Sequence, residues 1–117
     1  MSEVQDEPVV WVAIGVAANF RRRAARIVKA PGGDVAVFRT DADELFALDN
    51  RCPHRGGPLS EGIVSGDMVA CPLHNWVISL RTGRAAAPDE GCVRTLPVHV
   101  EDGRVLLGWR PARSRAA

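Results

Sequence analysis

Two short packets of metal-binding residue types lie between positions 52 and 74. The first is Cys-Pro-His at 52–54, and the second is Cys-Pro-Leu-His at 71–74. Together they hold two of the three cysteines and two of the three histidines among 117 residues. A lone cysteine is usually a small buried apolar residue, but chance rarely produces two such pairs, each opened by Cys-Pro. The pattern therefore indicates a metal site.

Zinc and an iron–sulfur cluster are the two candidates for these donors. Structural zinc accepts two cysteines and two histidines, but the common zinc pattern pairs Cys with Cys and His with His. Here each loop offers one of each, which favours a [2Fe–2S] cluster of the Rieske type, with two cysteines on one iron and two histidines on the other. Gly56, Gly57 and Gly62 would let backbone approach the cluster closely. A structural module that holds zinc remains the alternative.

The spacing of the four donors resembles that of a known family. Cys-x-His, 16 residues and Cys-x-x-His form the Rieske signature, and the chain resembles the Rieske [2Fe–2S] family over most of its length. The resemblance implies an antiparallel β base that carries a small cluster-binding lobe. It also implies one [2Fe–2S] cluster, with Cys52 and Cys71 on the inner iron and His54 and His74 on the outer, more exposed iron.

Two further segments narrow the resemblance. "CPLHNWVISLRTGRA" at 71–85 and "PDEGCVRTLPVHVEDGRVLL" at 88–107 are similar to the small subunit of assimilatory NAD(P)H-dependent nitrite reductase. In that family a large subunit carries FAD, an iron–sulfur cluster and sirohaem, and reduces nitrite to ammonium. The resemblance implies an electron-transfer subunit whose partner performs the substrate chemistry. The alternative is a free Rieske ferredoxin that delivers electrons to an aromatic-ring-hydroxylating dioxygenase, with the dioxygenase and its reductase as partners.

The resemblance also bears on the reduction potential. High-potential members carry an extra Cys in each loop, and these two cysteines form a bridge. They also carry a Ser two positions after the second His and a Tyr nearby. This chain has Gly57 and Leu73 at the bridge positions, Trp76 at the Ser position and no tyrosine. Hydroxyl donors to sulfur stabilise the reduced cluster, so their absence predicts a potential in the lower part of the Rieske range.

The elements that must position the packets are strands. Short β-branched runs alternate with turn signals along the chain, which is typical of a small antiparallel sandwich or barrel. Residues 51–76, rich in Pro and Gly, predict a lobe built from loops. Residues 13–25 are the one segment in which a helix is allowed. We also expect Trp11, Trp109 and Cys92 to be buried and His99 to point outward. The predicted strands are 9–15, 24–30, 35–40, 45–50, 77–82, 94–100 and 104–109.

Length and composition limit the remaining possibilities. A chain of 117 residues predicts a single domain spanning 1–117, with the lobe at about 51–76. The net charge of +1 gives no reason to expect a nucleic-acid partner. The longest apolar run, 9–18, is too short to cross a bilayer, and acids precede it. An odd number of cysteines fits a secreted disulfide framework poorly. We therefore expect a cytoplasmic protein without a membrane partner.

Overall fold

A computed structural model describes residues 9–30, 33–53, 56–73, 75–87 and 89–109. The regular secondary structure within them consists of strands and the short 3-10 helices Ala17–Asn19 and Leu59–Glu61. No described helix has the length and apolar character needed to cross a bilayer. The strands are β1 (Val10–Val16), β2 (Ala24–Ala30), β3 (Gly33–Arg39), β4 (Leu45–Asp49), β5 (Ile63–Ser65), β6 (Met68–Ala70), β7 (Val77–Ser79), β8 (Thr95–Leu96), β9 (Val98–Glu101) and β10 (Arg104–Trp109).

The strands form three antiparallel sheets. Sheet 1 has the order β1-β10-β9, sheet 2 has the order β2-β3-β4-β8, and sheet 3 has the order β5-β6-β7. Sheets 1 and 2 form the base, and sheet 3 with the loops around it forms the lobe. The expected all-β fold is confirmed.

Strand β3 separates two apolar cores because successive side chains of a strand point to opposite faces. Val35 and Val37 enter the base core, and Ala36 and Phe38 enter the lobe core; all four are 0% exposed. A strand buried on both faces is apolar at every position rather than at alternate ones. The base core consists of Phe20, Val35, Val37, Ala47, Leu96, Val105 and Leu107. The lobe core consists of Ala36, Phe38, Leu48, Cys52, Leu59, Val64, Val69, Cys71, Ile78, Leu80 and Val93.

The lobe is also tied to the base at its rim. Arg81, just after β7, donates to Asp67 of the lobe at 2.8 Å and to Glu44 beside β4 at 2.8 Å. Its guanidinium lies 5.1 Å from the ring centroid of Phe46. Each of these contacts is partly exposed and weak by itself, but together they fix the orientation of β6 and β7 over sheet 2.

Several sequence predictions need correction. The helix allowed within 13–25 is wrong, since β1 continues to Val16 and β2 begins at Ala24 around one 3-10 turn. The strand predicted at 94–100 is two strands in different sheets, β8 paired with β4 and β9 paired with β10. Pro97 separates them, because proline has no N–H to continue a ladder. Trp11 is 47% exposed rather than buried.

The lobe also differs from the loop-built structure that was expected. Strands β5 and β6 pair across Gly66 and Asp67, and β6 pairs with β7. Gly66 has φ +59, a conformation that glycine adopts without strain. The predicted hairpin at Asp102-Gly103 is confirmed, with φ 54 and φ 77 at its two central residues.

Gly83 and Gly103 have nearly the same φ but different surroundings, so the cost of backbone strain can be compared with the cost of steric crowding. Gly83 has φ +76, and a Cβ there would overlap the carbonyl oxygen of Val93, whereas Gly103 has φ +77 and nothing within 4 Å. We expect Gly103→Ala to cost about 1 kcal/mol of unfolding free energy and Gly83→Ala to cost at least about twice that. Urea denaturation of both variants measures this, and equal losses would show that the contact with Val93 carries no cost.

Candidate metal centre

The two cysteines of the packets lie at the ends of strands that the lobe core holds together. Cys52 follows β4 by three residues, and Cys71 follows β6 directly. Cys52 is 3% exposed and Cys71 is 0% exposed, and both are free thiols. Both pack in the lobe core with Phe38 and Leu48. Apolar packing, rather than a surface loop, thus fixes the positions of both sulfurs.

The two ligand loops are closed by the same backbone hydrogen bond. The N–H of Cys52 donates to the carbonyl of Gly57 at 2.8 Å, and the N–H of Cys71 donates to the carbonyl of Trp76 at 2.7 Å. In each case a cysteine is bonded to the residue five positions later. The histidine of each packet, His54 or His74, falls inside a closed loop but outside the described residues.

Each loop turns at a residue suited to positive φ. Gly56 has φ +73 in the first loop, where its N–H donates to the carbonyl of Cys52 at 2.8 Å. Asn75 has φ 56 in the second loop. Asparagine tolerates the left-handed region better than most residues. Backbone geometry therefore explains in part why asparagine stands before Trp76.

The two loops meet at the sulfurs. Burial raises the pKa of the Cys71 thiol, the N–H of Leu73 lowers it, and the hydrogen bond and charge interaction with the Cys52 thiol raise it. The two thiols are thus close enough to act on one another. The N–H of Leu73 donates to Sγ of Cys71 at 3.4 Å. Such a donor stabilises negative charge on sulfur, as a cluster ligand requires.

Gly57 makes the meeting of the loops possible. A Cβ at this position would lie 2.9 Å from Cδ1 of Leu73 and 3.1 Å from Sγ of Cys71. Residue 57 therefore leaves the space beside the sulfur that the second loop occupies. Two buried sulfurs, a backbone donor and two loops closed alike fit one metal group held between the loops.

A third segment forms a wall that the sequence analysis did not predict. Gly91 has φ +146, and a Cβ there would lie 3.1 Å from Cβ of Pro53 and 3.5 Å from Cζ3 of Trp76. This segment thus contacts both ligand loops. The next residue, Cys92, is exposed, so the expectation of a buried thiol is wrong. The run "PDEGC" at 88–92 gave no strand or turn pattern from which this contact follows.

Of the four predicted ligands, the structure describes Cys52 and Cys71 and brings these two together in the lobe core. Among the described residues, no third His, Cys, Asp or Glu joins them in a group that could hold a metal. His99, the histidine outside the packets, is exposed on β9, as expected, with its ring 6.2 Å from that of Trp11. It lies in sheet 1, away from the lobe core.

Comparison with known proteins decides the family. A family model described as Rieske [2Fe-2S] domain matches residues 10–97. The chain belongs to the Rieske [2Fe-2S] family. The cofactor that this membership implies is a Rieske-type [2Fe–2S] cluster, in agreement with the donor types of the two packets. When bound, the cluster supplies a carrier for one electron.

Relatives of this Rieske domain include both small carriers and parts of larger enzymes. The anthranilate 1,2-dioxygenase ferredoxin subunit of Burkholderia cepacia is 38% identical over 96 residues, which cover 81% of this chain and 88% of that protein. The 4beta-methylsterol monooxygenase of Methylococcus capsulatus is 34% identical over 94 residues, or 80% of this chain. Those residues make up 22% of the monooxygenase, so the chain spans about a fifth of its length.

A solved structure matches the Rieske chain over nearly its whole length. It is named as an NADH-dependent nitrite reductase small subunit from Mycobacterium tuberculosis. The TM-score is 0.82, and the match covers 91% of this chain and 100% of that chain. The sequence identity is 24%, at which the likeness shows the fold alone.

The contact at Gly57 can be tested with a neighbouring glycine as control. Gly57→Ala would push a methyl against Leu73 and the Cys71 sulfur, whereas Gly56→Ala meets nothing within 4 Å and adds only positive-φ strain. We expect Gly57→Ala to speed loss of the visible absorption of the cluster-loaded chain, and Leu73→Ala in the same chain to restore part of its lifetime. A Gly57→Ala chain that outlasts Gly56→Ala would contradict this account.

The ligand assignment is tested by removing donors one at a time. We expect Cys52→Ala and His74→Ala each to abolish the visible absorption of anaerobically purified protein, because each removes one of four required donors. Cys92→Ala serves as the matched control, since this exposed cysteine lies outside both packets. Its iron content should stay at two per chain by metal analysis. Stoichiometric zinc without iron would instead support the structural zinc site.

Proposed function

We propose that this chain is the Rieske electron-transfer subunit of an NAD(P)H-dependent nitrite reductase that forms ammonium. In this proposal the chain is one domain, residues 1–117, and works in the cytoplasm. Cys52 and Cys71 hold the inner iron, and His54 and His74 hold the outer iron. The partner is a large subunit that carries flavin and sirohaem and binds nitrite.

One observation carries the choice of this partner. The two segments whose sequences resemble nitrite reductase small subunits, 71–85 and 88–107, contact each other beside the first ligand loop. Gly91 of the second segment packs against Trp76 of the first and against Pro53. Residues in mutual contact around a redox centre are the ones expected to change together with the partner. Their joint resemblance to one family therefore supports that family more strongly than either segment alone.

The residues of this chain hold and shield the redox group. The lobe core, which includes Phe38 and Leu48, excludes water from the two cysteine sulfurs. The Leu73 N–H supplies a hydrogen bond to one of them. Leu73 is also 43% exposed, so its side chain adds an apolar rim beside the second ligand loop. An apolar rim next to the electron exit suits a surface that a redox partner covers.

A free Rieske ferredoxin for a ring-hydroxylating dioxygenase is the second candidate. It is favoured by the ferredoxin subunit from Burkholderia cepacia, which is 38% identical and of which the match covers 88%. The two candidates share fold, cluster and ligands, and differ in the large protein to which the electron goes.

Purification from the host distinguishes the two partners. The tagged chain is isolated from cells grown with nitrate as the nitrogen source, and the proteins bound to it are identified by mass spectrometry and visible spectrum. We expect a large subunit that carries FAD and sirohaem, in constant ratio to the tagged chain. Recovery of an oxygenase or its reductase instead would assign the chain to the ferredoxin class.

We expect a reduction potential in the lower part of the Rieske range. That range runs from roughly −150 to +300 mV, and fewer donors to sulfur make reduction less favourable. Gly57 and Leu73 stand where high-potential members have a cysteine bridge, and tyrosine is absent from the chain. The potential should lie near or below zero and change little with pH around neutrality. Film voltammetry measures it, and a midpoint above roughly +150 mV at pH 7 would contradict both the low potential and the nitrite reductase assignment.

A further inference from the structure

A cleft of about 460 Å³ opens beside the first ligand loop. Its lining includes Cys52 on one side and Cys92 and Arg94 on the other, with Asp49 and Arg51 along the wall. The cleft therefore reaches one of the cysteines assigned to the cluster. No role in binding the cluster accounts for its charged residues.

The walls of the cleft are a continuation of the pairing between β4 and β8. Leu48 pairs with Thr95 in the ladder, and the N–H of Asp49 donates to the carbonyl of Arg94 at 3.0 Å just beyond it. Gly91 then packs against Pro53 at the far end. Because both walls are anchored at two points, the cleft is a fixed feature of the lobe rather than a gap between loose loops.

Among the charged residues that line the cleft, one arginine has no partner among the described residues. Arg94 donates to Asp49 at 2.8 Å, so these two charges compensate each other. Arg51 is exposed and has no ion pair or hydrogen bond from its side chain to any described residue. Arg51 directly precedes Cys52 in the chain. A positive charge thus stands next to a cluster ligand with its hydrogen-bonding capacity unused.

Two of the other surface arginines show what an engaged guanidinium looks like in this structure. Arg22 donates to Asp43 at 2.7 Å, and Arg81 is held between Glu44 and Asp67. Such pairs gain little from a further partner, since their charge is already compensated. Arg51 differs because it combines an unused guanidinium with a place in a cleft that reaches Cys52.

We propose that this cleft receives a carboxylate of an acidic redox partner, with Arg51 as its cation. A guanidinium binds a carboxylate through two parallel hydrogen bonds, which fixes orientation as well as distance. Charge complementarity between the docking surfaces raises the association rate of the partner. The inference rests on the proposed electron-transfer role, but it holds for a nitrite reductase subunit and for an oxygenase alike.

A small anionic oxidant probes the charge of the cleft directly. The chain is reduced with dithionite, freed of excess reductant, and mixed in a stopped-flow instrument with hexacyanoferrate(III) at low ionic strength. The chain loses one electron, and the oxidant gains it to become hexacyanoferrate(II). The return of the oxidised visible spectrum gives the second-order rate constant. The same reaction with the cation tris(1,10-phenanthroline)cobalt(III) serves as the reference.

The variants have opposite expected effects. Arg51→Gln should slow the reaction with hexacyanoferrate by about threefold or more and speed that with the cobalt cation, and the effect should shrink at high salt. Arg51→Lys keeps the charge and should restore most of the rate. Asp49→Asn removes a negative charge from the cleft wall and should speed the reaction with hexacyanoferrate. Arg104→Gln makes the same charge change at an exposed residue of β10, in sheet 1, and should leave both rates close to those of the unaltered chain.

A peptide of six glutamates tests whether the cleft binds carboxylate. It should slow the reaction of the unaltered chain with hexacyanoferrate and have little effect on Arg51→Gln. Equal rates for the unaltered chain and Arg51→Gln, or equal slowing of both by the peptide, would overturn the inference alone. A chain that shows no [2Fe–2S] absorption at all would overturn the proposed function and the inference with it.

Discussion

The burial of two cysteine sulfurs in one apolar core is the constraint on which the rest of this structure depends. Cys52 and Cys71 belong to the same lobe core as Phe38 and Leu48, which the base supplies from β3 and β4. Alternate residues of β3 serve the base core and the lobe core. The lobe therefore cannot shift relative to sheet 2 without exposing apolar surface, which costs roughly 25 cal/mol for each Å². The sulfur positions are fixed at the level of the fold.

The two ligand loops solve the same geometric problem in the same way. In each, a backbone bond from the cysteine to the residue five positions later closes the loop, and a residue with positive φ turns it. Gly57 then leaves room for Leu73 and the Cys71 sulfur. One side of the centre is thus dry and supplied with a backbone donor. The exposed side chains, Leu73 and Arg51, lie where a partner can approach. Shielding on one side and access on the other are what a carrier of single electrons needs.

Much of this arrangement could be predicted from the sequence, because it depends on local patterns. Strands β2 and β10 match the predicted runs, and the two packets indicated the cluster type that membership of the Rieske family implies. The sequence does not show which residues of β1 point inward and which point outward, because "VVWVAIG" is apolar throughout. Trp11 lies outward over Gly108, whose missing side chain leaves space for the ring. Strands of three residues, such as β5 and β6, are too short to show a period.

The third wall of the site was beyond sequence analysis for a different reason. The contact of Gly91 with Pro53 and Trp76 joins three segments that are distant in sequence, and no local pattern encodes such a meeting. The same holds for the cleft at Arg51, whose walls are held by the hydrogen bond from Asp49, at the end of β4, to Arg94, just before β8.

The central claim is that one iron is held by two cysteines and the other by two histidines. Electron–nuclear double resonance on the reduced chain, prepared with ¹⁵N-labelled histidine, tests it most directly. We expect hyperfine couplings from two histidine nitrogens, which persist when His99, outside the packets, is replaced by Gln. A cluster signal without histidine nitrogen coupling, or couplings that vanish with His99, would contradict it.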